Sequence, residues 1–267
     1  MEQSSPSLDE TMSMMQAHFP DLKDAGVLVT GGGSGIGASL VEAFAAQGAR
    51  VAFIDIAEEP SVALVARLAH AARHPVHFFK TDLRDIAATR QSVEAAAAAT
   101  GGIKVLVNNA AWDDRHEIDT VTEAYWDANQ AVNLKQMFFT VQAALPHLRQ
   151  AQDAAIINFS SISFLLNMGE LPSYAAAKAG IIGLTKSLAG RLGPENIRVN
   201  TLLPGMIVTE RQKELWLTDD DVTSTTARQC LKRTLVAADL VGPCLFLASS
   251  ASSAITAQSI IVDGGLL

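Results

Sequence analysis

A tyrosine and a lysine lie four residues apart in the segment Tyr174-Ala-Ala-Ala-Lys178. The intervening alanines favour an α-helix, which would place both side chains on one helical face. A phenol titrates near about 10 in water, and a neighbouring ammonium group lowers that pKa because it stabilises the phenolate. The pair could therefore move a proton to or from a hydroxyl group, whereas the same spacing on a solvated helix would have no catalytic role.

A strand, a glycine-rich turn and a helix are predicted upstream of this pair. The apolar run 26–30 predicts a buried parallel strand, the turn Gly-Gly-Gly-Ser-Gly-Ile-Gly occupies 31–37, and a helical pattern follows. Glycine lets a pyrophosphate approach the main chain, where the N–H groups of the helix start would face the anion. This context favours a dinucleotide site over a glycine loop without a ligand.

Asp55 ends the second predicted strand, 18 residues after Gly37, close to the spacing of about 20 expected for the residue that binds an adenosine ribose. Its carboxylate would bind the 2′-hydroxyl and repel a 2′-phosphate, and no Lys or Arg lies in the glycine turn to offset that repulsion. NAD is therefore predicted over NADP, although a nearby arginine would admit both nucleotides. A strand-end turn aspartate is the structural alternative.

The rest of the chain alternates between predicted strands and helices, the pattern of a doubly wound α/β fold. Further strands are predicted at 76–80, 105–109, 155–159, 198–203 and 259–262, and helices at 61–73, 86–99, 130–149, 174–192 and 239–248. We expect residues 23–267 to form one Rossmann-type parallel sheet with helices on both faces, after an N-terminal extension at 1–22. Cofactor and substrate should bind at the carboxyl ends of the strands.

Composition argues against several classes of partner. The 267 residues carry a formal net charge of −8, which opposes binding to nucleic acid or to an anionic membrane surface. No apolar run is long enough to span a membrane, and the first residues lack the basic and apolar regions of a signal peptide, so a cytoplasmic protein is expected. Cys230 and Cys244 have neither metal nor redox spacing, and no metal site is predicted.

Together these motifs resemble those of the short-chain dehydrogenases/reductases, across nearly the whole chain after about the first two dozen residues. Besides the glycine turn and the Tyr174/Lys178 pair, the resemblance rests on Asp82-Leu83, Asn108-Asn-Ala-Ala111, Asn133, Ser161, Pro204-Gly205 and Val262-Asp-Gly-Gly265. It implies an oxidoreductase that uses a nicotinamide nucleotide.

The resemblance implies a catalytic set of Ser161, Tyr174, Lys178 and Asn133. Tyr174 would be the general base that takes the proton from a substrate hydroxyl, and Ser161 would hydrogen-bond the same oxygen. Lys178 would lower the pKa of the tyrosine and bind the nicotinamide ribose, and Asn133 would hold a water against Lys178 in a proton relay. Ser160 is expected to make structural hydrogen bonds at the strand end.

The resemblance also implies the residues that bind the nucleotide. Asp82 would contact adenine, with a helix N-cap as the alternative, and Asn109 could instead tie neighbouring strands. The predicted cofactor-binding residues are Gly31, Gly33, Ser34, Gly35, Ile36, Gly37, Asp55, Ile56, Asp82, Leu83, Asn108, Asn109, Ala110, Ala111, Tyr174, Lys178, Pro204, Gly205, Ile207 and Thr209.

Two positions depart from the family pattern. Ala111 follows Asn-Asn-Ala where the family usually has glycine, and Ala257 lies in Thr256-Ala-Gln258 where Thr-Gly-Gln is usual. The added methyl group should cost little at either site if the local φ is negative. We therefore expect neither departure to abolish activity.

The substrate would be recognised by loops. Segments 112–116, 162–168 and 209–218 supply polar groups and two indoles, a mixture that suits a polyhydroxylated ligand better than a steroid or a long acyl chain. Their pattern resembles the sugar 1-dehydrogenases of this family, such as D-xylose and L-rhamnose dehydrogenases, which implies oxidation of an aldose (a pentose or deoxyhexose) to its lactone. The predicted substrate contacts are Trp112, Asp114, Ser161, Ser163, Asn167, Tyr174, Met206 and Arg211.

Alternatives remain open for the loops and for the function. Segment 113–116 could be a solvated loop with an internal Asp114–Arg115 ion pair, and Arg211 could anchor a lid. The protein could be an NAD(P)H-dependent reductase of 3-oxoacyl chains or other carbonyls, or a sensor that binds NAD without turnover. A homotetramer is implied by resemblance, and the small residues on several faces of helix 174–192 fit subunit pairing and internal burial equally well.

Overall fold

The computed structural model describes residues 17–209, 212–213 and 217–267. Most of the predicted N-terminal extension and the predicted substrate contact Arg211 lie outside the described residues. None of the helices within these ranges combines the length and the apolar character that crossing a membrane requires.

Parallel strands form the centre of the fold. In chain order the strands are Gly26–Thr30 (β1), Arg50–Asp55 (β2), His77–Lys80 (β3), Val105–Asn108 (β4), Ala155–Phe159 (β5), Arg198–Pro204 (β6), Ile207–Val208 (β7), Leu235–Val236 (β8) and Ser259–Val262 (β9). The main sheet of the described residues has the order β3-β2-β1-β4-β5-β6-β9, and β7 pairs with β8 beside it. The predicted doubly wound sheet is confirmed, and its strand order reverses between β1 and β4, where such folds bind ligands.

Helices cover both faces of this sheet. They are Gly35–Ala46 (α1), Glu58–Leu68 (α2), Ile86–Thr100 (α3), Glu123–Gln130 (α4), Gln136–Leu148 (α5), Pro172–Leu192 (α6), Asp219–Arg228 (α7) and Ala238–Ala248 (α8). Buried apolar side chains of α1, α2 and α8 pack on one face of the sheet, and those of α3, α5 and α6 pack on the other. Strands β1, β4, β5 and β6 are buried along their whole length, which explains why apolar residues dominate β1, β4 and β5.

The helices α4 and α7 were not predicted from the sequence. A π-helical turn, Ala131–Lys135, joins α4 to α5, so the helix expected at 130–149 begins at the last residue of α4 and runs through that turn into α5. Helix α7 buries no side chain and begins with three aspartates, and a capping box between Thr218 and Asp221 fixes its start. A helix without an apolar stripe gives no periodic signal in the sequence.

The described end of the N-terminal extension packs against the sheet and its helices. Leu22 is fully buried, and the Phe19 N–H donates a hydrogen bond of 2.9 Å to Gln47 Oε1. Lys104 Nζ donates to the Asp21 carbonyl oxygen at 3.0 Å. These contacts attach residues 19–22 to the body of the fold.

The two departures from the family pattern differ in backbone conformation. Ala257 has a φ of 60°, in the left-handed region, whereas Ala111 is not among the described residues with positive φ. The condition under which an added methyl group costs little is therefore met at Ala111 and not at Ala257. For a residue other than glycine, the left-handed conformation costs about 1–2 kcal/mol.

We expect Ala257→Gly to raise the free energy of unfolding by about 0.5–1 kcal/mol, because relief of the strained φ exceeds the added entropy of the unfolded chain. Ala111→Gly is the matched control, and it should lower the free energy of unfolding by about 0.4–1 kcal/mol, since no strain is relieved. Urea denaturation of the three proteins measures both changes. A change of the same sign in the two variants would contradict this assignment of strain.

Candidate functional site

A cavity of about 680 Å³ opens at the carboxyl ends of β4, β5 and β6. Its floor is formed where these strands end and where α6 begins, so that side chains far apart in sequence meet there. The predicted site residues that line it are Ile36, Asn109, Ala111, Ser161, Ser163, Asn167, Tyr174, Lys178, Pro204, Gly205, Met206 and Ile207.

Helix α6 positions the tyrosine and the lysine. Pro172 starts the helix, and the four-residue spacing brings Lys178 Nζ to 5.2 Å from the centroid of the Tyr174 ring. Lys178 is only 1% exposed, and its ammonium group donates a hydrogen bond of 2.9 Å to the Phe159 carbonyl oxygen at the end of β5. The lysine therefore links the helix to the strand that leads into Ser161.

Two consecutive serines follow β5 and face different partners. Ser160 Oγ donates to the Lys178 carbonyl oxygen at 2.7 Å inside the protein, which is the structural bond expected for it. Ser161 Oγ accepts a hydrogen bond of 3.1 Å from the Ser163 N–H and also interacts with the Tyr174 side chain. Both serines line the cavity, where Ser161 interacts with the Tyr174 side chain and Ser160 binds the main chain of α6.

Desolvation shifts the pKa values of two groups on α6, the half-buried Tyr174 phenol and the buried Lys178 amine. Desolvation raises the pKa of Tyr174 above its ordinary value, the negative charge of Asp113 raises it further, and the hydrogen bond with Ser161 opposes these effects. Desolvation lowers the pKa of Lys178 to about 7, against the charge of Asp113, which favours the ammonium form. The sequence led us to expect a lowered tyrosine pKa, but helical spacing carries no information about desolvation.

Asn133 lies in the π-helical turn, and its side chain is occupied by protein partners. Its Oδ1 accepts from the Trp112 N–H at 2.9 Å, and its Nδ2 donates to the Trp112 carbonyl oxygen at 2.9 Å. Nδ2 also lies 3.0 Å from the Asn129 carbonyl oxygen. The carboxamide therefore anchors the segment after β4, and the relay to Lys178 expected of Asn133 stays a prediction.

The glycine turn has the shape that a dinucleotide requires. Gly31 has a φ of 66°, and a Cβ atom at Gly37 would lie 1.8 Å from the Gly31 carbonyl oxygen. Helix α1 starts at Gly35 without a side-chain cap from Ser34, so its first N–H groups can bind an anion. Asp55 accepts from the N–H groups of Gly33 and Ala57 at 2.8 and 2.9 Å. These features fit a pyrophosphate beside a ribose.

Other predicted cofactor residues lie at the same edge of the sheet with different partners. The Asp82 carboxylate is paired with Arg84, which holds the pKa of Asp82 below its usual value. Asn109 Nδ2 donates to the Gly31 carbonyl oxygen at 2.9 Å and so ties β4 to the glycine turn. Asn108 Nδ2 donates to Asn158 Oδ1 inside the sheet, and Asn108 does not line the cavity.

The remaining residues that were predicted to bind the cofactor lie just after the ends of β2, β3, β4 and β7. Leu83 is buried, Ile56 is 58% exposed, and a Cβ at Gly35 would lie 3.6 Å from Thr209 Cγ2. Thr209 therefore faces the glycine turn across the site. Ala110 closes the other side of the turn, because a Cβ at Gly31 would lie 2.7 Å from the Ala110 Cα.

The structure places Asp113, rather than Asp114, in the wall of the cavity. Asp114 is exposed, and its carbonyl oxygen lies 3.2 Å from His116 Nδ1. Trp112 is half-buried and packs its ring against Tyr125 with centroids 5.3 Å apart, outside the cavity wall. The loop expected to contact the substrate, 112–116, does reach the cavity. Which of its adjacent side chains turns towards the cavity depends on the path of the backbone, and the sequence pattern of an irregular segment does not give that path.

Ser163 Oγ and Gln212 Oε1 are buried atoms of the cavity wall that lack a hydrogen-bond partner among the described residues. Leaving such a group unpaired costs about 1–3 kcal/mol, and a ligand that supplies a hydroxyl would remove that cost. Among the described residues, no group of three or more His, Cys, Asp or Glu side chains could hold a metal ion.

The class of protein follows from this geometry and from a family comparison. A family model described as enoyl-(acyl carrier protein) reductase matches residues 31–267. The sheet order, the glycine turn and the Ser161/Tyr174/Lys178 cluster agree with that match. The chain belongs to the short-chain dehydrogenase/reductase family and is an oxidoreductase.

Individual relatives that are similar over nearly the whole chain carry the names of sugar dehydrogenases. A protein named probable galactose dehydrogenase, from Rhizobium meliloti, is 60% identical over 96% of this chain and 100% of its own length. The D-xylose 1-dehydrogenase of Caulobacter vibrioides is 45% identical over 94% of this chain and 99% of its own length. The structure of an aldohexose dehydrogenase from Thermoplasma acidophilum superposes with a TM-score of 0.82 at 27% identity, covering 93% of this chain and 96% of that one.

Burial of Lys178 makes the free energy of unfolding depend on pH. The folded protein releases the Lys178 proton near pH 7, whereas the unfolded chain keeps it up to about 10.5. Between these values the unfolded state binds more protons, so raising the pH stabilises the folded state. The free energy of unfolding of the wild type, minus that of Lys178→Met, should therefore increase between pH 7 and 10, by at most about 1.4 kcal/mol per pH unit.

Urea denaturation of both proteins without nucleotide at pH 7, 8 and 9 measures this difference. The methionine variant is the control for all other titrating groups, because it keeps the length of the side chain. A difference that stays constant across this range would show that Lys178 is not desolvated as described.

Proposed function

We propose that this enzyme oxidises an aldose at its anomeric carbon with NAD, giving the aldonolactone. The observation that carries the proposal is a single cavity that holds the Ser161/Tyr174/Lys178 cluster together with the unpaired polar atoms of Ser163 and Gln212. A proton-transfer group and several hydroxyl-binding groups are what the oxidation of a polyhydroxylated substrate needs.

The residues that would hold the nucleotide are those of the glycine turn and the neighbouring strand ends. The α1 N-terminus would bind the pyrophosphate, Asp55 the adenosine ribose, and Lys178 the nicotinamide ribose. When bound, oxidised nicotinamide supplies the hydride acceptor and a positive charge beside the phenol. Asp55 favours NAD, because its carboxylate would repel a 2′-phosphate.

Tyr174 Oη would take the proton from the anomeric hydroxyl, and Ser161 Oγ would hold the same oxygen while charge develops on it. Because burial raises the pKa of Tyr174, the phenol needs nearby positive charge before it can act as a base. The ammonium form of Lys178 provides such charge, and Asp113 favours that form. Asn133 positions the Trp112 segment at the edge of the site.

The choice of substrate class is supported by the cavity and by the relatives. Ser163, Gln212 and Asp113 offer polar contacts to several hydroxyl groups of one ligand. The names of similar proteins refer to galactose, D-xylose and aldohexoses, so galactose joins the pentoses and deoxyhexoses as a first candidate. The homotetramer and the cytoplasmic location stay predictions from the sequence.

We expect purified protein to reduce NAD in the presence of galactose, D-xylose or L-rhamnose, measured as initial rates of NADH formation. Tyr174→Phe should lower kcat by about 10²–10⁴-fold, because the proton acceptor is lost. Tyr125→Phe is the matched control, since it removes the chain's other tyrosine, which packs on Trp112 outside the cavity wall, and it should retain activity within a few-fold.

Two results would overturn the proposal. Turnover of a ketone or a 3-oxoacyl substrate with NADPH, without oxidation of any aldose, would identify a carbonyl reductase instead. NAD binding by calorimetry together with activity that Tyr174→Phe leaves unchanged would remove Tyr174 from the chemistry and favour a binding protein.

A further inference from the structure

A lysine lies beside Asp55 on the neighbouring strand. The Asp55 Cα pairs with the Lys80 Cα in the parallel β2–β3 ladder. Paired residues of adjacent strands point their side chains to the same face of the sheet, so Lys80 and Asp55 are neighbours on the side where the glycine turn lies. The glycine turn itself contains no Lys or Arg. Lys80 lies 25 positions after Asp55 in the chain, so the sequence motif does not reveal that the two residues are neighbours.

Glu58 holds this lysine. Lys80 Nζ donates to Glu58 Oε2 at 2.5 Å, and Glu58 is the first residue of α2, three positions after Asp55. The side chains of Lys80 and Glu58 are 57% and 60% exposed. An exposed ion pair of this kind contributes little to folding, about 0–1 kcal/mol, so its partners can exchange for another ion at small cost.

Asp55 itself has a fixed orientation. Its two carboxylate oxygens accept from the Gly33 and Ala57 N–H groups at 2.8 and 2.9 Å. Because Lys80 is paired with Asp55 across the strands, a phosphate held beside the Asp55 carboxylate would come near this lysine, whose charge Glu58 already neutralises.

We infer that Glu58 is a specificity-determining residue: it occupies the Lys80 ammonium group and so withholds it from a 2′-phosphate, which enforces the preference for NAD together with Asp55. The inference rests on the proposed nucleotide site. Without Glu58, Lys80 becomes an available cation beside the ribose, and one carboxylate that would repel a phosphate is gone.

The chain offers a matched control in Glu59. It follows Glu58 in the first turn of α2, is exposed, and interacts in the same way with the helix dipole. Glu58→Gln and Glu59→Gln therefore change net charge and helix-end electrostatics equally, and they differ in whether Lys80 loses its partner.

The test measures binding of adenosine 2′,5′-bisphosphate and of 5′-AMP by calorimetry at low ionic strength, where exposed charges are least screened. Glu58→Gln should tighten binding of the bisphosphate about three- to tenfold and leave 5′-AMP unchanged. Glu59→Gln should change bisphosphate binding less than twofold, and Lys80→Met added to Glu58→Gln should cancel the gain. The same series is repeated in an Asp55→Asn background. Because this substitution removes a carboxylate that would repel the 2′-phosphate, the dissociation constant of the bisphosphate stays in a measurable range.

An equal gain in Glu58→Gln and Glu59→Gln, or a gain that survives Lys80→Met, would overturn the inference. Tight 5′-AMP binding with no gain in Glu58→Gln would overturn it while leaving the nucleotide site intact. Absence of 5′-AMP binding in the wild type would overturn the nucleotide site itself, and with it the proposed function.

Discussion

Desolvation of two ionisable side chains, the half-buried Tyr174 and the buried Lys178, is the constraint on which the site depends. Desolvation favours the neutral phenol of Tyr174 and the neutral amine of Lys178, so neither is in its reactive form unless the surroundings supply charge. The four-residue spacing on α6 places the Lys178 ammonium group over the Tyr174 ring. The same ammonium group donates a hydrogen bond to the Phe159 carbonyl oxygen. In the proposed function, a bound ligand that brings positive charge would stabilise the phenolate and so favour proton transfer to Tyr174.

Much of the fold could be predicted because its signals are local. The apolar strands, the glycine turn and the start of α6 are short patterns whose meaning depends on residues next to them in the chain. The doubly wound parallel sheet followed from the alternation of strands with helices, since parallel strands need such crossovers, whereas the order of the strands came from the structure. Helix α7 escaped prediction because its stability comes from a capping box rather than from an apolar face.

The details of the site depend on contacts between distant residues, and these could not be predicted. Asp113 rather than Asp114 lines the cavity, because the backbone path after β4 decides which side chain turns inward. The carboxamide of Asn133 is hydrogen-bonded to the main chain of Trp112. Lys80 is a neighbour of Asp55 only because of the register between β2 and β3. The left-handed φ of Ala257 likewise appears only once the chain is folded.

The most direct test of this account is the titration of Tyr174 itself. The chain has two tyrosines, so tyrosinate absorbance in a Tyr125→Phe variant reports Tyr174 alone. The account predicts that the phenol titrates above its ordinary value of about 10 in the free protein and at a lower pH once NAD is added. Titration near 10 in the free protein, with no response to NAD, would contradict a desolvated phenol whose pKa is controlled by nearby charge.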